Sequence, residues 1–257
     1  MSEDGLICIK NVSIIRGGKR VLKDVSWTTR RGEHWFLMGN NGSGKTTLLE
    51  IVLGYLWPQK GEVFVLGEKF GRVFLPDLRK RIGFIAPWVL KRIRPSVPVY
   101  DVIASGEDSS IGFFGNVSKE LDNRIRKEAK LFGCIPFLRS PFGNLSSGQQ
   151  IRAALARAMV HQSEILILDE PFSHLDICTR ARTYDLIEGL ARRKGGPQII
   201  MVTHHVEDVR PFFTHGLLIK DGRAAAQGKR EQVFQKNVME KILEIPKSFF
   251  KNEEILK

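Results

Sequence analysis

The sequence predicts an α/β fold with a mainly parallel sheet and helices on its faces, on three observations. First, short apolar runs alternate with stretches of helical period. Residues 149–160 place Ile151, Ala154, Leu155 and Ala158 on one face, the apolar run 165–168 follows, and a helical stretch over 179–193 leads into the apolar run 199–202. Second, the glycine-rich stretch Gly39-Asn40-Asn41-Gly42-Ser43-Gly44-Lys45-Thr46-Thr47 falls between an apolar run, 33–38, and an apolar helical stretch, 46–53, closed by Gly54. Third, residues 6–31 around Gly17-Gly18 and residues 61–75 with a break at Gly67 alternate apolar and polar side chains, the period of antiparallel strands joined by turns. These two segments predict a small antiparallel sheet beside the parallel one.

Residues 1–88 and 160–229 are assigned to the α/β core with its antiparallel part. After Arg81 the pattern turns irregular and proline-rich, with Pro87, Pro95 and Pro98 close together, then becomes helical over 99–104 and 119–132. Residues 89–159 are therefore read as a helical subdomain inserted between the halves of the core. From Arg230 the chain is charged and amphipathic, and 230–257 is read as a helical tail.

Two hundred and fifty-seven residues, 42% of them hydrophobic and 26% charged, suit a soluble globular chain with a substantial core. No apolar run approaches the roughly 20 residues of a membrane span. The opening Met1-Ser2-Glu3-Asp4-Gly5 lacks the basic and apolar regions of a secretion signal, so a cytoplasmic location is expected. Cys8, Cys134 and Cys178 are odd in number and lack metal-site spacing, which predicts reduced, buried thiols rather than a disulfide scaffold or a zinc site. The net charge of +12 comes from scattered clusters such as Arg79-Lys80-Arg81, Lys91-Arg92-Ile93-Arg94 and Arg192-Arg193-Lys194. A solvated surface accounts for such clusters, and attraction to an anionic membrane face or an acidic partner stays open beside it.

The stretch 39–47 fits G-x-x-x-x-G-K-[ST], the phosphate-cradling loop of P-loop nucleotide triphosphatases. Gly39, Gly42 and Gly44 are expected to adopt positive φ and to carry no Cβ, so that the amides of Asn40, Asn41, Ser43 and their neighbours converge on phosphate oxygens. The helix opening at Thr46-Thr47 adds about half a positive charge at its N-terminus. Lys45 is expected to reach the β- and γ-phosphates and Thr46 to ligate Mg²⁺. Asp169 and Glu170, ending the apolar run 165–168, are expected to supply a carboxylate for Mg²⁺ and a base to polarise an attacking water, respectively.

Leu145-Ser146-Ser147-Gly148-Gln149 closely resembles the Leu-Ser-Gly-Gly-Gln signature of ABC ATPases, and the other family motifs follow in order. Asp169-Glu170 come first, then Ser173-His174-Leu175-Asp176, which resembles the D-loop, then Thr203-His204, which resembles the switch histidine. The resemblance covers essentially the whole chain. It implies a P-loop core with a helical signature subdomain, ATP and Mg²⁺ as ligands, and ATP hydrolysis in a head-to-tail dimer of identical or mixed subunits. In that dimer Ser146, Gly148 and Gln149 of one protomer would close on ATP held by the other. Asp176 would cross the interface, and His204 would bind the γ-phosphate and hold Glu170 and the water in place. An integral-membrane permease is the implied partner. The chain itself would not insert into the bilayer and would sit peripherally on its inner face, and a nucleic-acid partner is not expected.

Two departures stand out. Arg16 takes the place where the family has an adenine-stacking aromatic residue, and a guanidinium can stack on a base in its stead. Pro87 takes the place of the Q-loop glutamine, so metal binding would rely on Thr46, Asp169 and water. With Ser26-Trp27, Gly32-Glu33-His34-Trp35 and Ser105-Gly106 before Ile111-Gly112-Phe113-Phe114-Gly115, the altered loop is similar to a subgroup associated by name with molybdenum transport. The function expected is the ATP-hydrolysing subunit of a membrane transporter, an importer because no membrane-spanning part is present. The alternative is a soluble ABC ATPase acting on a nucleic acid, ribosome or cluster-assembly complex.

Overall fold

The structure, a computed structural model, describes residues 5–109, 115–173 and 175–244. In chain order the elements are β1 (Gly5–Arg16), β2 (Lys19–Arg30), β3 (Trp35–Met38), α1 (Lys45–Val52), β4 (Lys60–Val65), β5 (Glu68–Lys69), α2 (Leu75–Lys80), β6 (Ile82–Ile85), α3 (Pro87–Leu90) and α4 (Val99–Ala104). They continue with α5 (Lys119–Leu131), α6 (Ser147–Met159), β7 (Ile165–Asp169), α7 (Ile177–Arg192), β8 (Gln198–Val202), β9 (His215–Lys220), β10 (Arg223–Lys229), α8 (Arg230–Val233) and α9 (Lys236–Leu243). The chain divides into two units, Met1–Leu75 with Ile200–Lys257, and Pro76–Ile199.

In the first unit, β1 and β2 pair as an antiparallel hairpin, and β4 and β5 extend it into a sheet of order β2-β1-β4-β5. It buries Ile7, Ile9, Val12, Ile14, Leu22, Val25 and Trp27; the alternation of a half-buried sheet shows over residues 25–30 of β2, while residues 5–9 of β1 are buried throughout. All four residues of β3 are buried, as expected of a strand covered on both faces. It pairs in parallel with residues 200–202 of β8 and with β9, and β10 returns antiparallel to β9. The β9–β10 hairpin goes beyond the sequence reading. Its turn, Asp221-Gly222 at φ +50° and +77°, is the Asp-Gly pair that two-residue hairpins favour.

The second unit pairs β6 in parallel with β7, Ile82 opposite Ile165 and Ile85 opposite Leu168. Residues 82–85, read from sequence as the start of an irregular stretch, are thus a strand. The short run escapes pattern reading because Gly83 dilutes it and Pro87 follows closely. Pro87 opens α3 at its first helical position, where a missing N–H costs nothing and φ is already helical. The helix α6 buries Ile151, Ala154, Leu155 and Ala158 as its periodicity predicts, and α5, capped by the Ser118 hydroxyl, buries Leu121, Ile125 and Ala129.

Cys8 and Cys134 are buried, and burial pushes the Cys134 thiol up to about 12. Cys178 departs from the expectation of buried thiols, being exposed in the first turn of α7. The predicted tail is helical through α9, where Met239 and Leu243 are buried; its residues 245–257 lie outside the described residues, as do Ile111-Gly112-Phe113-Phe114 and His174. Among the described residues no helix is long and apolar enough to cross a membrane.

Candidate active site

The glycine-rich loop leaves the end of β3 and enters α1, all within the first unit. Gly42 and Gly44 have φ +78° and +108°, the left-handed region that the pattern predicts. Gly39 does not, and the reason for glycine there is close approach: a Cβ would lie 2.3 Å from Ile219 O and 2.6 Å from Ser43 Oγ. The loop is tied to β9 and its turn, since Gly222 N donates to Ser43 O at 3.1 Å. Lys45 is only 6% exposed, and its Nζ donates to Gly39 O at 2.8 Å and Asn40 O at 3.1 Å. A cation is thereby seated among the loop amides. The Ser43 hydroxyl is buried without a hydrogen-bond partner among the described residues, a group that a phosphate oxygen would satisfy. Asn40, Asn41 and Thr46 are exposed, and Thr47 is buried. The helix begins at Lys45 with no side-chain cap, leaving its positive end directed at this loop.

His204 follows β8 in the same unit, and Thr203 N donates to Leu37 O at 3.1 Å, which sets the histidine beside the strand that feeds the loop. Thr203 donates its hydroxyl to Asp208 Oδ2 at 2.6 Å and accepts from His205 N at 3.0 Å. Asp208, only 2% exposed, is a support that the sequence reading missed; the signal was an acid four residues beyond the expected histidine. The rings of His204 and His205 lie 4.0 Å apart, and both residues are exposed. Arg16 ends β1, and its Nη1 pairs with Glu50 Oε2 of α1 at 3.0 Å with the side chain 63% exposed.

The second unit holds the carboxylates and the signature residues. Asp169 closes β7 and is 7% exposed. Glu170 follows at φ +49°, a conformation costly for a residue with a side chain and concentrated at functional sites. Both line a cleft of about 170 Å³ shared with Pro87, Ser147, Gln150 and Ser173. The structure therefore brings together the acidic strand end, the start of α6 and Pro87.

Ser146 caps α6: its hydroxyl accepts from Gln149 N at 3.3 Å while Gln149 Oε1 accepts from Ser146 N at 2.9 Å. This is a capping box, so the Gln149 side chain is occupied in closing the helix. Gly148 is buried, and a Cβ there would lie 2.4 Å from Thr179 Cγ2 of α7. Asp176 caps α7, accepting from Thr179 N at 3.0 Å and Thr179 Oγ1 at 2.6 Å. Hydrogen bonding from the Thr179 side chain, then its amide, holds the Asp176 carboxyl below the usual carboxylate range. The starts of α6 and α7 thus pack together where Gly148 meets Thr179.

The family model described as ABC transporter matches residues 22–173 of the chain. The chain belongs to the ABC transporter family. That span takes in the glycine-rich loop, the capping box and the acidic strand end. This ABC ATPase is 34% identical over 242 residues to an uncharacterized ABC transporter ATP-binding protein, YlmA, of Bacillus subtilis, covering 94% of this chain and 92% of that one. It is 30% identical over 222 residues to the molybdate/tungstate import ATP-binding protein WtpC of Thermococcus kodakarensis, covering 86% of this chain and 64% of that one. The dimeric structure of MJ0796, a bacterial ABC transporter cassette, superposes with a TM-score of 0.73 at 27% identity, covering 87% of this chain and 98% of that chain. The same cassette is known in a dimeric post-hydrolysis state bound to ADP and Pi. The chain is an ATP-binding subunit of the ABC type and an ATPase.

Proposed function

We propose that this ABC ATPase hydrolyses ATP at the interface of a head-to-tail pair and so drives a membrane permease, in the import direction, from the cytoplasmic face. The observation that carries the reading is the loop 39–47. A nearly buried ammonium sits on the carbonyls of Gly39 and Asn40, beside a buried hydroxyl with no partner among the described residues. Such a site is complete when phosphate oxygens meet the amides, the lysine and the serine. Gly39, Asn40, Asn41, Gly42, Ser43, Gly44, Lys45, Thr46 and Thr47 hold the triphosphate in this reading, with Arg16 on the adenine.

The hydroxyl of Thr46 and the carboxylate of Asp169 are hard oxygen donors of the kind Mg²⁺ takes alongside phosphate oxygens and water. They are the residues that would hold the ion, whose chemistry is to neutralise charge on the phosphates. Pro87 offers no donor of its own. Glu170 acts as general base toward the attacking water, His204 binds the terminal phosphate, and Ser146, Gly148, Gln149 and Asp176 serve the site of the partner protomer. The capping box and the Thr179 bonds fix the backbone of that surface, so the helix start that meets the partner's nucleotide is rigid before it arrives.

Import is supported by the printed function of the WtpC relative. Purification of the tagged chain from detergent-solubilised membranes is expected to recover a multi-span membrane protein in fixed ratio. Recovery of nucleic acid that salt removes, with no membrane protein, would replace transport with the alternative role on a nucleic-acid complex.

Arg16→Ala is expected to raise the Kd for ATP several-fold, about 3- to 10-fold for one lost cation–π contact, with less effect on inorganic triphosphate. Titration of both ligands checks it, and equal losses would place Arg16 on the phosphates or on Glu50 alone.

A further inference from the structure

Within the second unit, the C-terminal ends of α6 and α7 meet α5 around a pocket of about 170 Å³. Glu128 of α5 lines it and is only 6% exposed. Its carboxylate has no hydrogen-bond or ion-pair partner among the described residues, and burial, opposed by the charges of Lys127 and Arg193, pushes the carboxyl above the usual carboxylate range. The Ser163 hydroxyl, on the same pocket, donates to Ala158 O at 2.7 Å and is occupied there. Met159 adds an apolar wall. A carboxylate taken out of water in this way is costly until a cation or a donor meets it.

The rim carries the opposite charge. Lys127, Arg193 and Lys194 line the same pocket and are exposed, and none of them forms a salt bridge among the described residues. The acids close by in sequence are already paired, Glu188 with Arg192 at 2.6 Å and Glu164 with Arg81 at 2.7 Å. The basic run Arg192-Arg193-Lys194 thus divides, its first member paired along α7 and the other two at the pocket. One buried acid below three unpaired cations selects against simple ions: an anion would rest against Glu128, and a cation would meet the rim. A molecule carrying both charges satisfies both sets.

We propose that this pocket binds a small zwitterion, its ammonium on the Glu128 carboxylate and its carboxylate or phosphate on Lys127, Arg193 and Lys194. The site is separate from the nucleotide chemistry. Helix α6 runs from Ser147, beside Asp169 and Glu170, to Met159 at this pocket, a length of about 18 Å at the α-helical rise. None of the residues assigned to ATP takes part, and the inference does not depend on the direction of transport.

The test is isothermal titration of the full chain with a panel of proteinogenic amino acids and, separately, with phosphoethanolamine. Methylamine, acetate and inorganic phosphate serve as single-charge controls. At least one zwitterion is expected to bind about 10-fold or more tightly than any control, and the arm that binds tells a carboxylate from a phosphate. Glu128→Gln should weaken that binding about 30-fold or more, the range for removing one partner of a buried charge pair. Its thermal midpoint should stay level or rise, because the lost charge had no partner in the fold, and ATP turnover should be unchanged. Arg193→Gln/Lys194→Gln should weaken binding about 5-fold, as two solvent-exposed charges imply. Absence of binding by every zwitterion, a single-charge control that binds as tightly, binding that either variant retains in full, or a fall in the thermal midpoint of Glu128→Gln would each overturn the proposal.

Discussion

Glu170→Gln is expected to lower ATP turnover by roughly 10²- to 10⁴-fold, the range for a lost general base, while ATP binding persists. Gln keeps the length and shape of the side chain, so the positive-φ backbone at this position and the cleft shared with Asp169 and Ser147 are not disturbed. What disappears is an acceptor able to take a proton from water. With chemistry blocked and both phosphate-binding surfaces intact, the nucleotide should hold two protomers together. Phosphate release under saturating ATP and sedimentation velocity with and without ATP measure the two halves of this result. A variant that turns over within a few-fold of the parent, or that stays monomeric with ATP bound, would remove Glu170 from the role of base. Asp169→Asn separates the neighbouring carboxylate from it: the loss there should follow the Mg²⁺ concentration, because the expected defect is in holding the ion.

The motifs of the candidate site were legible because they are local. A loop needing three glycines and a lysine at fixed spacing, and a strand ending in two acids, announce themselves within a few residues. The strand and helix order was legible for the same reason, as β3, α1, α6 and β7 each carry their own period. What stayed hidden depends on chain that is distant in sequence. Gly39 is glycine because Ile219 O occupies the space, and its φ is ordinary. Gly148 is glycine because Thr179 of α7 packs against it, a contact that no single-motif reading supplies. Asp208 matters through Thr203, and a buried acid in a short irregular turn has no pattern to mark it. The β10 strand is half exposed along its length and so lacks the apolar alternation that reveals a strand, leaving only the Asp-Gly turn as a cue.

The packing at Gly148 decides how the shared pocket has to be tested. A bulky side chain there would displace Thr179 within its own protomer, so lost activity would say nothing about a partner. Ser147 is exposed at the first position of α6 and borders the cleft of Asp169 and Glu170, and a large residue in its place occupies the approach to that helix start without the clash with Thr179 that position 148 would meet. Lys45→Ala and Ser147→Trp are each expected to reduce turnover by about 10²-fold or more, one by removing charge stabilisation from the phosphates and the other by blocking the helix start that completes the site. Mixed in equal amounts, half of the dimers should pair one variant with the other, and each such pair has one site with an intact loop facing an intact signature. Recovery of about a quarter of the parent turnover follows from random pairing of two-fold dimers. If loop and signature acted within one protomer, no mixing ratio could restore hydrolysis, because every protomer would carry one broken half. Recovery should also vanish on dilution, since separated protomers cannot complement.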